Sequence, residues 1–437
     1  MSDTVELIQQ LIRNACVNDG SVESGQEVRS TDVLKNYLEG SGLDLETFEA
    51  APGRTSLVTR IEGSDRDAPA LMLMGHTDVV PVNPDSWSHD PHGGELIDGE
   101  VWGRGAVDML NLTASMAVAT KRLAESGFRP KGTLVYLAVA DEEALGEYGA
   151  KFMTERHPDA VTTDYLITEM GGIPMPTAGG PPVLNVVVGE KGPYWCRLTV
   201  KGTPGHGSMP FGADSAIVKA AEVVRRIAAF QPPGRVDELW QRAITALGMP
   251  DEVVSALTDP ARMDDMLAAL PPSMGRFLHA CTHTTMSPNV VRGGSKMNVI
   301  PDRVELDVDI RALPDDDIPA LLDAALGDLR DTVDVDFVTD EPANLSPADT
   351  PLWQAMERAS SVHYPGVKLI PTMMPATTDA RFFRRLGVTC YGYGLFSERI
   401  GFEQFGSMFH GNDERVDVES LRLTTELWQQ LANDLLG

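Results

Sequence analysis

Histidine and acidic side chains follow short apolar runs in this sequence, at positions where a buried strand would end. They are His76 and Asp78 after the run at 70–74, Glu142 and Glu143 after the run at 133–140, and Glu169 after the run at 165–168. Two further candidates are Asp108, in a turn flanked by glycines, and His410, in the C-terminal part. Imidazole nitrogens and carboxylate oxygens, without a thiolate, suit Zn²⁺ or another borderline-hard divalent ion. The set contains enough ligands for two metal ions that share one bridging carboxylate.

Each of these residues alone has an ordinary structural explanation. A lone His-x-Asp pair such as His76 and Asp78 is usually a satisfied structural pair, and an Asp-Glu-Glu run is usually a solvated loop. Glu169 could cap the following segment, and His410 could be a partly buried histidine without a ligand. A metal site is favoured because three acidic sites and one histidine all lie at the ends of predicted buried strands.

The elements that must position these residues alternate between helix and strand. Apolar residues at helical spacing predict helices, and short apolar runs predict buried strands. Helices are predicted at 5–17, 28–38 and 112–124, and strands at 56–61, 70–74, 133–140 and 165–168. Helices between buried strands predict an α/β sheet whose ligands bind at the carboxyl ends of the strands.

The pattern changes in the middle of the chain. Strands are predicted at 194–200, 284–293, 303–311 and 333–338, with helices at 215–230 and 315–329. This strand–helix–strand–strand–helix–strand order predicts a separate α+β domain that is inserted into the first. The predicted division is a catalytic domain made of residues 1–188 and 345–437, and an inserted domain made of residues 189–344.

The composition is that of a globular protein that can form more than one hydrophobic core. The chain has 437 residues, of which 42% are hydrophobic and 23% charged, and this excludes a largely disordered protein. The length exceeds the usual limit of one core, so two domains are predicted. The 36 basic and 64 acidic residues give a net charge of −28. Such a charge repels nucleic acid and anionic membranes, and neither is an expected partner.

The cysteines and the first residues of the chain indicate the cellular compartment. Cys16, Cys196, Cys281 and Cys390 are far apart and match no zinc or redox spacing. Apolar runs stay well short of the roughly 20 residues of a spanning helix, and residues 1–20 lack the pattern of a signal peptide. These observations predict reduced thiols and a cytoplasmic protein.

Six segments, in order, resemble the dizinc metallopeptidase family of aminoacylase-1, carboxypeptidase G and succinyl-diaminopimelate desuccinylase. They are MGHTDVVP (74–81), WGRGAVDM (102–109), ADEE (140–143), KGTPGHGS (201–208), NVIP (298–301) and TDAR (378–381). One such motif would be weak, whereas six in family order, over nearly the whole chain, are specific. The resemblance implies a zinc-peptidase-type mixed sheet flanked by helices, in which the inserted domain serves as a lid and for dimerisation.

The resemblance also implies a ligand set for two Zn²⁺ ions per chain, for which Co²⁺ or Mn²⁺ can substitute. It assigns His76 and Glu169 to one ion, Glu143 and His410 to the other, and Asp108 to both as the bridge. Asp78 would orient His76, and the peptide bond after Asp108 would be cis. Glu142 would be the general base that takes a proton from a metal-bridging water, which is the proton transfer that amide hydrolysis needs.

Four further residues are assigned to substrate by the resemblance. His206 would donate to the oxyanion in the other subunit of a homodimer, and Asn298, Arg311 and Thr378 would bind substrate. An arginine at a strand end suits a bidentate contact with a free carboxylate. Alternatively, His206 is an exposed loop histidine and Arg311 forms a surface ion pair with the nearby aspartates.

The expected function is hydrolysis of an amide bond next to a free carboxylate, in N-acyl amino acids or short peptides. The alternatives are an aminopeptidase on longer peptides and a non-catalytic binding protein, against which the intact Glu142 argues. The segment 235–279 is similar to the branch that contains carboxypeptidase S and the N-fatty-acyl-amino-acid hydrolases. Its apolar side chains either line an acyl pocket or form a core; they are Met263, Met266, Leu267, Leu270 and Met274.

Overall fold

A computed structural model describes residues 2–177 and 179–437 of the chain. The elements up to residue 190 alternate helices with strands, as the sequence predicts. They are α1 (Asp3–Asn14), α2 (Val28–Leu38), β1 (Leu45–Ala51), β2 (Arg54–Ile61), β3 (Leu71–His76), β4 (Glu95–Ile97), β5 (Glu100–Trp102), α3 (Leu110–Glu125), β6 (Leu134–Val139), α4 (Ala150–Arg156), α5 (Pro158–Val161), β7 (Tyr165–Thr168), β8 (Gly171–Met175) and β9 (Val183–Glu190).

The middle of the chain combines short strands with two groups of helices. Its elements are β10 (Gly192–Pro193), β11 (Cys196–Lys201), β12 (Gly205–His206), α6 (Ala216–Ala229), α7 (Glu238–Ala246), α8 (Asp251–Leu257), α9 (Met263–Ala269), α10 (Pro272–Thr282), β13 (Thr285–Gly293), β14 (Val299–Ile300), β15 (Arg303–Ala312), α11 (Ile318–Leu326) and β16 (Val333–Phe337). The remaining part contains β17 (Asn344–Leu345), α12 (Pro351–Ser361), β18 (Lys368–Met374), α13 (Ala380–Arg385), β19 (Thr389–Gly392), α14 (Phe402–Met408), β20 (Arg415–Asp417) and α15 (Val418–Leu436).

The large sheet has the order β1-β2-β6-β3-β7-β19-β9-β17, and both β8 and β18 pair with β9. Its centre is parallel, since β3 pairs in parallel with β6 and β7, and β7 with β19. Towards its margins, β1, β2 and β6 pair antiparallel, as do β19, β9 and β17, whereas β18 is parallel to β9; the sheet is therefore mixed. Helices α1, α3, α12 and α15 pack together on a core that contains the inward side chains of these strands. The predicted α/β class with a mixed sheet and flanking helices is confirmed.

A smaller sheet has β15 between β13 and β11, with β16 beyond β11 and β10 at one end of β15. Helices α6 and α11 share its hydrophobic core. The order β11, α6, β13, β15, α11, β16 is the one predicted for the inserted domain. The strands of this sheet lie between residues 192 and 337, whereas the large sheet takes its strands from before and after that range. This segregation supports the predicted division at 189 and 344, which stays a prediction.

The helices α7 to α10 form a group that packs on the large sheet through α7 and α10, although all four lie within the range predicted as the inserted domain. Helix α7 packs on β18, where Ala243 joins Val183 and Ile370 in a small apolar cluster. The sequence pattern did not indicate this attachment, because helical periodicity identifies an apolar face and leaves its partner open. Within the described residues, none of the helices has the length and apolarity that a membrane crossing requires.

Candidate metal centre

Three neighbouring strands of the large sheet bring most of the predicted residues to one edge. His76 is the last residue of β3, Glu142 and Glu143 follow β6, and Glu169 follows β7. Because β6, β3 and β7 are adjacent and parallel, their carboxyl ends lie side by side. A Cβ atom at Gly75 would lie 2.4 Å from Thr113 Oγ1 of α3, so glycine permits the close approach of α3 to the end of β3.

Asp108 lies between the two histidines. Its Oδ1 is 3.3 Å from His76 Nε2, and its Oδ2 is 3.3 Å from His410 Nε2. Glu169 Oε2 lies 3.9 Å from the same nitrogen of His76, and Glu143 Oε2 lies 3.1 Å from that of His410. Each oxygen of Asp108 therefore faces a different histidine–glutamate pair, as a carboxylate shared by two metal ions must.

The donor set fits divalent cations. At this edge of the sheet, two groups of ligand atoms each lie within 4.8 Å of one another. One is His76 with Glu142 and Glu169, and the other is His76 with Asp108 and Glu143. These atoms are imidazole nitrogens and carboxylate oxygens, the ligands that zinc and related ions accept. Among the described residues, the buried Glu143 Oε1 has no hydrogen-bond partner. A buried oxygen without a partner is costly unless a cation or a donor satisfies it.

The excess of buried carboxylates in the cluster also favours the binding of cations. Burial raises the pKa of Glu142 and of Glu169 well above the usual range, and neighbouring carboxylates add to the increase at Glu169. Burial also opposes ionisation of Asp108, but hydrogen bonds with His410 and His76 outweigh it and lower the pKa of Asp108. The hydrogen bonds with Asp108 and Glu143 raise the pKa of His410 to about 10. Two imidazoles are thus surrounded by an excess of carboxylates, which divalent cations would neutralise.

Asp78 fixes both the imidazole and the turn after β6. His76 Nδ1 lies 2.9 Å from the backbone oxygen of Asp78 and 3.6 Å from its Oδ1. The carboxylate of Asp78 accepts hydrogen bonds from the backbone N–H groups of Glu142 and Glu143 at 3.2 and 3.1 Å. It also accepts one from Asn18 Nδ2 at 2.8 Å. One buried carboxylate therefore sets the relative positions of residues from two strands.

Glu414 is a positioning residue that the sequence analysis missed. Its buried carboxylate accepts hydrogen bonds from the backbone N–H groups of Gly105, Val107 and Asp108, at 2.7 to 3.0 Å. It also forms an ion pair with Arg104 at 2.8 Å. These contacts hold the turn that ends in Asp108, and the Asp108–Met109 peptide bond is cis, as the resemblance implies. A single glutamate carries no motif, so only the tertiary structure identifies it.

A second unpredicted network lies behind the turn after β6. Arg54 is 1% exposed and donates to Glu27 at 2.8 Å and to Asp141 at 2.5 Å. Asp141 also accepts hydrogen bonds from Asn18 Nδ2 and from the backbone N–H of Tyr148. Since Asp141 precedes Glu142 and Glu143, this buried ion-pair network restricts the backbone that presents them.

The structure gives two of the predicted substrate residues other contacts. Thr378 is 3% exposed, and its backbone N–H and hydroxyl both donate to Glu190 at 2.7 Å. Arg311 Nε donates to Asp309 at 2.8 Å, and another nitrogen of its guanidinium donates to Thr377 Oγ1 at 3.0 Å. Arg311 thus forms an ion pair with a nearby aspartate, which was the alternative to substrate binding. It also contacts the loop that holds Thr378.

His206 and Asn298 lie together, apart from the metal centre. His206 ends β12 and Asn298 directly precedes β14, and these two strands pair as a short ribbon. Next to the pair, the backbone N–H of Gly207 donates to the Asn298 carbonyl at 2.8 Å. The exposed side chain of His206 bonds with Ser208 Oγ at 2.7 Å. Among the described residues, no hydrogen bond or ion pair joins either side chain to the histidines and carboxylates of the metal centre.

The fold and its ligand cluster are those of a metal-dependent hydrolase. A family profile described as "Peptidase family M20/M25/M40" matches residues 72–434, and the chain belongs to this family. The resemblance found in the sequence is thereby confirmed, as is the expectation that the protein is a metallohydrolase.

Individual relatives agree with the family assignment. The chain is 28% identical over 395 residues to the N-fatty-acyl-amino acid synthase/hydrolase of Xenopus tropicalis, covering 87% of this chain and 75% of that protein. It is 28% identical over 384 residues to aminoacylase-1 of Homo sapiens, covering 86% of this chain and 82% of that protein.

Solved structures share the fold over the full length. An M20 family metallo-carboxypeptidase from Sulfolobus solfataricus matches with a TM-score of 0.74 at 17% identity, covering 100% of this chain and 99% of that one. Human carnosine dipeptidase 1 matches with a TM-score of 0.67 at 16% identity, covering 99% of this chain and 95% of that one.

Proposed function

We propose that this protein hydrolyses the amide bond next to a free carboxylate in N-acyl amino acids or short peptides, with two zinc ions. One observation supports the proposal above all: the two oxygens of Asp108 lie at equal distances from His76 and His410. The names of the relatives, an aminoacylase and an N-fatty-acyl-amino acid synthase/hydrolase, support the substrate class.

The proposed ligands are those that the strand ends bring together. His76 and Glu169 would hold one ion, Glu143 and His410 the other, and Asp108 both. Bound divalent ions supply Lewis-acid polarisation of the scissile carbonyl and a water of lowered pKa. Asp78 holds the His76 imidazole and the backbone of Glu143, and Glu414 holds the backbone of Asp108, before any ion binds. These contacts lower the cost of ordering three of the five ligands.

Glu142 is the proposed general base. It is adjacent in sequence to the ligand Glu143, and its backbone is fixed by Asp78. Burial raises the pKa of its carboxyl group, and a raised pKa suits a group that accepts a proton from water and returns it to the leaving nitrogen. Glu142 would thus act on the water while Glu143 binds a metal ion.

Arg311 is the proposed contact for the free carboxylate of the substrate. Its guanidinium already touches Thr377 of the loop that follows β18, and its fork geometry suits a carboxylate. The substrate carboxylate would have to compete with Asp309, which accepts a hydrogen bond from Arg311 Nε. A substrate carboxylate at this place distinguishes the proposal from an aminopeptidase, which needs a contact for a free amine.

A homodimer is part of the proposal, with His206 acting in the partner's site. Large apolar side chains are exposed on α6 and on the edge strand β13; they are Ile217, Val218, Val290 and Val291. Exposed apolar side chains at a sheet edge favour pairing with a second copy.

The four free cysteines are consistent with the proposed cytoplasmic location.

A substrate screen tests the function. N-acyl amino acids, dipeptides and longer peptides with free amino termini would each be incubated with the protein loaded with zinc, cobalt or manganese. We expect hydrolysis of acyl amino acids or dipeptides, and loss of hydrolysis when the α-carboxylate is amidated. Preference for the amidated or longer peptides would favour the aminopeptidase, and tight binding without turnover would favour a binding protein.

A further inference from the structure

A further group of histidine and carboxylate side chains lies among the helices α7 to α10 and shares no residue with the metal centre. Asp264 lies in the first turn of α9, His279 lies in the last turn of α10, and His283 directly follows α10. One oxygen and two ring nitrogens of these residues lie within 4.8 Å of one another. The hydrolytic chemistry proposed above uses none of them.

Helix α10 places the two histidines side by side. Residues four positions apart lie on the same face of a helix, and the rings of His279 and His283 stack in parallel with their centroids 3.9 Å apart. A pair of histidines at this spacing can present two nitrogens to one metal ion, as in the helical zinc motif of metalloproteases.

A hydrophobic core fixes the helix that carries the carboxylate. Met263 and Leu267 of α9 are buried with side chains of α7 and α8, so these two residues form a core, which the sequence left as the alternative to an acyl pocket. Asp264 follows Met263, and its Oδ1 lies 3.0 Å from His283 Nε2. The side chain of Asp264 is 52% exposed, and an ion can therefore reach it from the solvent.

The two ring nitrogens of His283 have different surroundings, and the side chain is fully buried. Nδ1 lies 3.1 Å from the backbone oxygen of His279 and 2.9 Å from Thr282 Oγ1. Because a carbonyl oxygen only accepts hydrogen bonds, Nδ1 must carry the hydrogen. In the neutral ring Nε2 then presents a lone pair, and among the described residues it has no hydrogen-bond partner.

Nε2 of His283 and Oδ1 of Asp264 therefore face each other with lone pairs. They lie within hydrogen-bond distance but are not aligned for a hydrogen bond, and without a cation their contact is unfavourable. Two ligands of one tetrahedral Zn²⁺ lie roughly 3.3 Å apart, since each is ~2.0–2.1 Å from the ion. The Nδ1 contact with a carbonyl oxygen is the hydrogen bond that a metal-binding histidine usually makes.

We propose that Asp264, His279 and His283 form a third metal site, which binds Zn²⁺ or another divalent ion that accepts nitrogen and oxygen ligands. Two imidazole nitrogens and one carboxylate oxygen match the ligands of zinc, and water completes the coordination on the exposed side. The site binds its ion more weakly than the two-ion centre, because the exposed Asp264 and the partly exposed His279 must be ordered on binding. The ion joins α9 to the end of α10.

This joint lies where the chain connects the two sheets. Lys191, which is fully buried between β9 and β10, donates from Nζ to the backbone oxygen of His283 at 2.8 Å and to Thr285 Oγ1 at 3.0 Å. Strand β9 belongs to the large sheet, whereas β10 and β13 belong to the smaller one. An ion bound by His283 therefore connects α9 to the junction between the sheets.

Calorimetric titration with Zn²⁺ tests the site. The protein is first dialysed against a weak chelator, which should empty the third site and leave the two-ion centre filled. Metal analysis before the titration counts the ions already bound, so a failure of the two-ion centre is recognised separately. We expect the wild type to bind one further equivalent of Zn²⁺.

Variants that remove one ligand locate this equivalent. His279→Gln and Asp264→Asn should each lose it and keep the ions of the two-ion centre. Both positions are at least partly exposed, whereas the buried His283 is left unchanged because its replacement can unfold the protein. His363→Gln is the matched control, since His363 lies 3.7 Å from a carboxylate oxygen of Glu426 but belongs to no three-ligand group among the described residues. It should bind zinc as the wild type does.

Hydrogen exchange measures the effect on the joint without relying on activity. Zinc should slow the exchange of backbone amides in residues 263–283 of the wild type and have no such effect in Asp264→Asn. Exchange that zinc leaves unchanged in the wild type would overturn the joining of α9 to α10.

Two results of the titration would overturn the site itself. If the wild type binds no further equivalent, the contact of His283 with Asp264 is an ion pair of a protonated imidazole. If the equivalent persists with undiminished affinity in His279→Gln or in Asp264→Asn, zinc binds elsewhere on the protein.

Discussion

The metal centre and the ribbon that holds His206 are built in contrasting ways. At the metal centre, His76 is 1% exposed and Asp108 is 5% exposed. The buried carboxylates of Asp78 and Glu414 accept hydrogen bonds from the backbone of the segments that carry the ligands. On the ribbon, His206 and Asn298 are exposed and are held by a few backbone contacts. The metal centre is largely enclosed by the chain, although His410 is exposed, whereas the ribbon lacks a surrounding wall.

This contrast indicates what each region needs in order to function. The metal centre is preorganised, since its geometry is determined by strand ends and by the hydrogen bonds of Asp78 and Glu414. The ribbon gains a defined environment only when another surface covers it. We propose that a second copy of the chain supplies that surface. Variants of the metal centre and of the ribbon can therefore be tested separately.

Among the variants that test this comparison, Glu142→Gln at the metal centre should lose the most turnover. The change removes the proposed proton acceptor and keeps the shape of the side chain. Turnover should fall by about 10²- to 10⁴-fold, the usual contribution of a general base, while metal content stays near that of the wild type. Steady-state kinetics and metal analysis check both values. Turnover close to that of the wild type would remove Glu142 from the mechanism.

An intermediate effect is expected from Glu414→Gln, which tests preorganisation. The amide can no longer accept all the backbone hydrogen bonds that hold Gly105, Val107 and Asp108. Metal affinity should fall about 10- to 100-fold, as for other residues that position ligands. Competition with a fluorescent chelator measures this affinity. Glu419→Gln is the matched control, because Glu419 forms an exposed ion pair with Arg422 and, among the described residues, no hydrogen bond with the turn. Unchanged affinity in both variants would contradict the positioning role.

The smallest effect is expected when two inactive variants are mixed to test the ribbon, and the measured quantity is the recovered activity. A His206→Ala chain should be defective only in its partner's site, and a Glu142→Gln chain only in its own. In a mixed dimer, the site of the His206→Ala chain has an intact Glu142 and receives His206 from the partner. One working site in two, in half of randomly mixed dimers, gives about a quarter of wild-type activity if the lost donor is costly.

The mixing experiment requires proof that subunits exchange, for example by mass spectrometry of isotope-labelled chains. Exchange without recovery of activity would mean that His206 acts in its own chain or takes no part. Recovery would show that the exposed ribbon and the buried metal centre complete one site across an interface.

The sequence predicted the parts of the site that local patterns determine. The buried runs before His76 and Glu169 identified strands, and the parallel order placed their ends together. The contact between Glu414 and Asp108 was not predictable, because the two residues lie 306 positions apart and, unlike His410, Glu414 belongs to none of the predicted ligands. The attachment of α7 to β18 was missed for the same reason. Periodicity shows which face of a helix is apolar, and only the folded chain shows what covers it.

The central claim is that one edge of the large sheet holds two metal ions that share Asp108. Metal analysis of the wild type and of Asp108→Ala, after dialysis against a weak chelator, tests this most directly, with the exposed Asp67→Ala as the control. We expect two ions per chain in the wild type and in the control. Asp108→Ala should lose both ions together with activity, since each ion loses a ligand. Two tightly bound ions per chain in Asp108→Ala would contradict it.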